Sequence, residues 1–136
     1  MINAKKTIAA CAGVLGITAG LTAFLPVTAS AATYEEGMCG AGYKVIDSHE
    51  LKNGTVFLTY NGDQKCVVTV RNHRGAAERM GAGISLEKDV YNDVAESGDF
   101  TWYAGPVRIA AKGQCIVWVG WIGSGEDGFI GKGHCD

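Results

Sequence analysis

From Thr33 onward the chain is a series of short β-branched and aromatic runs broken by Gly, Asn or Pro, and helical periodicity is almost absent. Residues 43–48 form the first run. Asn53-Gly54 follows, a dipeptide that tolerates positive φ and so closes a tight hairpin. Residues 55–60 make the second strand, with strong β propensity throughout. A second dipeptide of the same kind, Asn61-Gly62, turns the chain toward a third strand at 66–70. Together these predict an antiparallel meander.

Residues 73–77 read as a loop. Residues 80–86 then alternate, placing Met80, Ala82, Ile84 and Leu86 on one face; Gly81 and Gly83 on the other leave room for another backbone or a facing sheet. The stretch 87–98 is the most acidic and reads as a loop, or as one to two helical turns on the spacing of Val90 and Val94. Phe100-Thr101-Trp102-Tyr103 is a strand interrupted by Gly105-Pro106, and Pro106, lacking a backbone donor, marks a strand start, an edge or a bulge. Residues 107–111 and 115–122 follow, and the last strand closes at Cys135. Seven or eight strands at this spacing predict an all-β fold, a small antiparallel sandwich or barrel.

The first segment stands apart. Lys5 and Lys6 precede an uncharged apolar run from about Thr7 to Val27, and Ala29-Ser30-Ala31 supplies the small-x-small pattern of a signal peptidase site. Residues 1–31 therefore read as a secretory signal peptide and 32–136 as one exported domain with no membrane anchor. Cys11 lies within the apolar run, not at a mature N-terminus, which argues against a lipid anchor.

With 136 residues the chain has room for one domain, and its 47% apolar and 19% charged residues exclude intrinsic disorder. Loss of Lys5 and Lys6 moves the formal net charge from −2 to −4. That disfavours a nucleic-acid partner, which needs concentrated Lys and Arg. The one basic cluster, Arg71, Arg74 and Arg79, reads as a solvated loop face.

Four cysteines remain in the mature chain: Cys39, Cys66, Cys115 and Cys135. An even count in a short exported chain reads as two disulfides, with three pairings possible. A hairpin centred on Gly125 pairs residues whose numbers sum to 250, as those of Cys115 and Cys135 do. The spacing thus favours Cys115–Cys135 and leaves Cys39–Cys66. Zinc on four thiolates is disfavoured because tight Cys-x-x-Cys pairs are missing.

Candidate chemistry is thin. Asp47-Ser48-His49-Glu50 contains the residue types of a hydrolase triad, but on a strand Asp47 and His49 share a face and Ser48 points away. Glu87, Asp89, Asp93, Glu96 and Asp99 lack the alternating ligand spacing of a calcium loop. His134 has no second His near it in sequence and reads as a capping or surface residue. Gly81-Ala82-Gly83 and Gly131-Lys132-Gly133 do not open helices, as phosphate loops do. No catalytic, cofactor or metal residue is assigned. The best binding hint is aromatic: Trp102, Tyr103, Trp118 and Trp121 could form a carbohydrate or peptide platform, with Trp118 and Trp121 on opposite faces of one strand.

The segments Tyr43-Lys44-Val45-Ile46-Asp47, Thr55-Val56-Phe57-Leu58-Thr59-Tyr60-Asn61, Cys66-Val67-Val68-Thr69-Val70-Arg71-Asn72, Tyr103-Ala104-Gly105-Pro106-Val107 and the terminal His134-Cys135 resemble the spore-associated protein A family of filamentous actinomycetes. The resemblance runs from about Thr33 to Asp136 and is weakest over 87–100. It implies a small exported protein of the spore or aerial-hypha surface and brings no catalytic residues. The expectation is a secreted, non-enzymatic surface protein whose partner is the spore or cell wall, or another secreted protein. A binding module, either a protease inhibitor or a toxin presenting loops 73–79 or 87–99, is the alternative. A small extracellular hydrolase, requiring a pocket with His49 or His134 beside a carboxylate, comes third.

Overall fold

A computed structural model describes residues 31–136, which form one compact unit. The predicted signal peptide, Ala31 apart, lies outside the described residues. Eight strands are present among them: β1 (Lys44–Glu50), β2 (Gly54–Tyr60), β3 (Gln64–Arg71), β4 (Glu78–Leu86), β5 (Asp89–Phe100), β6 (Tyr103–Ala110), β7 (Ile116–Ile122) and β8 (Asp127–Gly133). They build two four-stranded antiparallel sheets, in the orders β1-β2-β3-β6 and β5-β4-β7-β8. The all-β expectation holds, in its sandwich form.

The main core lies between the sheets. Val56, Leu58, Val67, Ala104 and Val107 from the first sheet meet Met80, Ala82, Ile84, Ile116, Trp118 and Ile122 from the second. A second cluster sits on the outer side of the first sheet. There Met38 and Cys39 cover Cys66, Val68 and Val70, with Tyr34, Tyr43, Phe57, Trp102 and Tyr103 around them. β2 and β3 are therefore buried on both faces, while the edge strand β1 is exposed along its length, which is why β2 and β3 read as nearly continuous apolar runs and not as alternating ones. The Cys39–Cys66 disulfide pins the covering segment to β3, and Arg108 donates to the Cys39 carbonyl at 3.0 and 3.1 Å. Among the described residues no separate segment covers the outer face of the second sheet, where β7 alternates buried and half-buried residues and its side chains bury β4 from Met80 to Ser85.

Five sequence expectations need correction. Only Glu87 and Lys88 form a turn; residues 89–98 are neither loop nor helix but most of β5, a twelve-residue edge strand paired with β4. An edge strand exposed on both faces needs no apolar alternation, so the polar pattern hid it. Glu96 on β5 accepts a hydrogen bond from the Gly105 amide at 2.6 Å, tying the edge to the other sheet.

The predicted strand at 100–103 is split instead at Thr101-Trp102, and β6 runs through Gly105-Pro106 (a cis peptide bond) with a bulge opposite Val68. Gly81 and Gly83 make room for side chains of the neighbouring strand, not for a facing sheet. A Cβ on Gly81 would lie 2.2 Å from the Trp121 ring, and one on Gly83 would lie 2.9 Å from Val119.

The β7–β8 register differs by one from the Gly125-centred hairpin, pairing Ile116 with Gly133 and Ile122 with Asp127. Cys115 and Cys135 lie just beyond this ladder. They still join, because His134 adopts φ 53° and turns the chain back, leaving the two Cα atoms 3.8 Å apart. Both predicted disulfides are present.

Arg71 also departs from its reading as a solvated loop residue. Its side chain is largely buried and donates to the carbonyls of Ala76, Phe100 and Thr101, while contacting Glu78 at 3.5 Å. This guanidinium holds the chain at 72–77 together with the backbone bonds that Asn72 donates to Asn53 and Gly75 donates to Thr101.

Candidate functional site

The four aromatic residues do not share one platform. Trp118 is 2% exposed and fills the main core, edge-on to Phe129 at 4.7 Å. Trp102 and Tyr103 pack edge-to-face at 4.9 Å within the outer cluster of the first sheet, and Arg74 lies 3.5 Å over the Trp102 ring. Trp121 stands on the opposite side of the molecule from that cluster, on the outer face of the second sheet. Strand alternation places it there, three residues from buried Trp118.

The outer face around Trp121 has a definite make-up. Register sets Trp121 beside Gly81 and Gly128, Val119 beside Gly83 and Ile130, and Val117 beside Ser85 and Lys132. Gly81 pairs onward with Ser97 and Gly83 with Ala95. Because a Cβ at Gly81 would collide with the indole, the ring lies over the bare Gly81 backbone, and Trp121 is half-buried there. Ile130 is 72% exposed beside it. A cleft of about 460 Å³ lined by Val119, Trp121, Gly125, Gly128 and Ile130 opens here. A separate, smaller one of about 160 Å³, lined in part by Gly83, Ser85, Val90, Asp93, Val117 and Val119, lies on the β5 side. A slightly larger depression of about 530 Å³ lies at the Glu87-Lys88 and Gly113-Gln114 turns, but it carries no aromatic residue.

A second constellation sits at the open edge between β1 and the chain end. His134 and Asp47 meet at 2.8 Å, and His49 stacks on Phe129 at 4.0 Å with an interplanar angle of 16°. A cavity of about 220 Å³ is lined by Ile46, Tyr60, Lys65, His134 and Asp136. The structure thus places a histidine beside a carboxylate in a concavity, the arrangement the hydrolase reading needs. A nucleophile is missing from it among the described residues. Ser48 pairs with Phe57 and so belongs to the opposite face, and Cys115 and Cys135 are joined in a disulfide. The pair orients the last residues of the chain against β1.

Lys65 forms the floor of this edge. It is 1% exposed, and its ammonium donates to the main-chain oxygens of Ala111 at 3.2 Å, Gln114 at 3.1 Å and Asp136 at 3.0 Å, and also to that of His134. Burial draws its pKa below the ordinary value, and the Asp136 carboxylate opposes part of that shift. Gln114 and His134 flank Cys115 and Cys135, so the lysine and the disulfide hold the same junction.

Sequence reasoning did not single out Lys65 or the Asp47–His134 pair. A signal for the first exists: Lys65 is in phase with inward-pointing Val67, and a cation on a buried face needs a partner set. The second left no local trace, since its members are 87 residues apart. Among the described residues no group of three His, Cys, Asp or Glu side chains could hold a metal ion.

No protein-family model matches the chain, and no solved structure matches it. Among curated proteins, spore-associated protein A of Streptomyces coelicolor is 40% identical to it over 116 residues, covering 79% of this chain and 74% of the relative. Identity of that extent along most of both chains means that the protein belongs to the spore-associated protein A family.

Proposed function

We propose that this chain is an exported, non-enzymatic structural protein of the spore or cell-envelope surface. The observation that carries the reading is its 40% identity to a protein named for association with spores. Its build supports the same reading. Two disulfides staple a domain of about 105 residues, a device typical of small proteins in oxidising surroundings without chaperones. The polar groups with recognisable chemistry, Lys65, Arg71, Arg108 and the Asp47–His134 pair, are engaged in holding loops and the chain end in place. Residues 1–31, with their basic start and small-x-small end, supply the export route in this reading.

Fractionation of a sporulating culture tests it. The processed protein is expected in washes of intact spores and aerial hyphae, beginning near Ala32, and deletion of residues 1–31 should trap it in the cytosol. Recovery of the full-length chain from the cytosol alone would refute the proposal, as would turnover of peptidoglycan, casein or RNA by the pure protein.

A further inference from the structure

Resting on that reading of a surface protein, we infer that the outer face of the β5-β4-β7-β8 sheet is a docking platform for an extended, uncharged glycan chain, with Trp121 as its stacking residue. The first sheet has its outer face covered by residues 32–43, whereas among the described residues nothing covers this one. Its centre is apolar: Val117, Val119, Trp121, Ile130 and Ala95 alternate with glycines that keep it flat.

Area decides against a second copy of the chain as occupant. Three residue pairs along the strands and four strands across span about 15 by 19 Å, on the order of 300 Å². A stable protein–protein interface needs roughly 800 Å² on each partner. Charge decides against an ionic ligand. At one end Arg79 stands opposite Asp99, and at the other Lys132 lies 3.9 Å from Glu87, so neither sign dominates.

A peptide adding as a strand would use a sheet edge, not a face whose backbone groups are already paired in the ladders. A sugar ring offers what the face accepts: an apolar C–H surface to lie on the outward side of the indole, and peripheral hydroxyls to reach exposed Ser97 and Asp93 at the margin. The ring of Trp121 is held over Gly81 before any ligand arrives, so little ordering is required on binding. Two clefts that share Val119 as a lining residue offer room that suits a chain of sugars more than a single one.

The test is a calorimetric titration of the oxidised domain with hexamers of β-1,4-linked N-acetylglucosamine and of β-1,4-linked glucose. Saturable binding of at least one hexamer is expected, weakened tenfold or more in Trp121→Ala and in Ile130→Asp, and unchanged in Asp47→Asn at the far edge. Circular dichroism and a count of free thiols establish that each variant is folded. Should Trp121→Ala fail to fold, Ile130→Asp at its exposed position decides alone. The inference is overturned if neither hexamer binds, or if folded variants bind as the parent does. It is equally overturned if sedimentation shows a dimer that Ile130→Asp abolishes, since the face would then be a self-interface. A protein found on spores that binds neither hexamer defeats this inference only; a hexamer-binding protein confined to the cytosol defeats the surface reading only.

Discussion

Replacing Lys65 with Met should loosen the end of the molecule that carries the Cys115–Cys135 disulfide. The substitution keeps most of the aliphatic stem but removes an ammonium that donates to four main-chain oxygens. One of these, on Ala111, also accepts from the Gln114 amide at 3.1 Å and keeps a partner. The other three, on Gln114, His134 and Asp136, lose theirs. Each loss costs about 1 kcal/mol at a site that water can partly reach, or roughly 3 kcal/mol in all. Relief from burying a cation offsets some of this, because an ion taken from water carries a penalty of several kcal/mol. A net loss of about 1–2 kcal/mol follows, equivalent to a fall of roughly 5–15 °C in Tm for a domain of this size. Guanidinium unfolding followed by tryptophan fluorescence measures the first quantity and calorimetry the second. Reduction of Cys115–Cys135 by dithiothreitol should also accelerate, because its flanking residues lose their tether. A loss below about 0.5 kcal/mol with unchanged reduction kinetics would refute the argument.

Four other expectations can be checked on the same preparation. Because the folded-state pKa of Lys65 lies below its ordinary 10.5, the unfolded chain binds more protons between the two values. The unfolding free energy should therefore rise with pH across that window in the parent and lose this component in Lys65→Met, as denaturant midpoints will show. Gly120→Ala puts a Cβ 2.3 Å from Thr69 Oγ1 and 2.6 Å from Val56 inside the core, so a loss of roughly 2–3 kcal/mol is expected in thermal melts. Opening the 27-residue loop with Cys39→Ala and Cys66→Ala together should cost about 3–4 kcal/mol and speed amide exchange over residues 32–43. Asp47→Asn removes one member of a solvent-exposed pair and should change stability by about 0.5 kcal/mol or less, which urea titration resolves.

The misread elements share a cause. β5 lies at a sheet edge, where a strand needs only a partner for its backbone and can carry Asp89, Asp93, Glu96 and Asp99 without cost to the core. Its acidic residues looked like a loop because the usual signal of a strand is burial of one face, which β5 does not provide. The meander β1-β2-β3 was legible for the opposite reason: Asn53-Gly54 and Asn61-Gly62 fix the turns locally, and the runs between them are strong strand formers. The disulfide pairing followed from hairpin arithmetic that was one residue off in register. It survived because His134 in a left-handed conformation makes up the difference.

Local patterns therefore settled the class of fold, the number of strands to within one, the disulfide pairing and the opposite placement of Trp118 and Trp121. Each of these depends on neighbours within a turn or a strand period, which the chain carries in its own order. Which face of which sheet stays open was settled elsewhere. Residues 32–43 cover the first sheet because the Cys39–Cys66 disulfide and Arg108 hold them there, and this covering packs Trp102 into the outer cluster while Trp121 stays on the uncovered face of the second sheet. Lys65 and the Asp47–His134 pair acquire their partners only when segments 46 to 87 residues apart are brought together by the stacking of the two sheets. Periodicity records which side a residue faces; what it faces is determined by the packing of one sheet on the other.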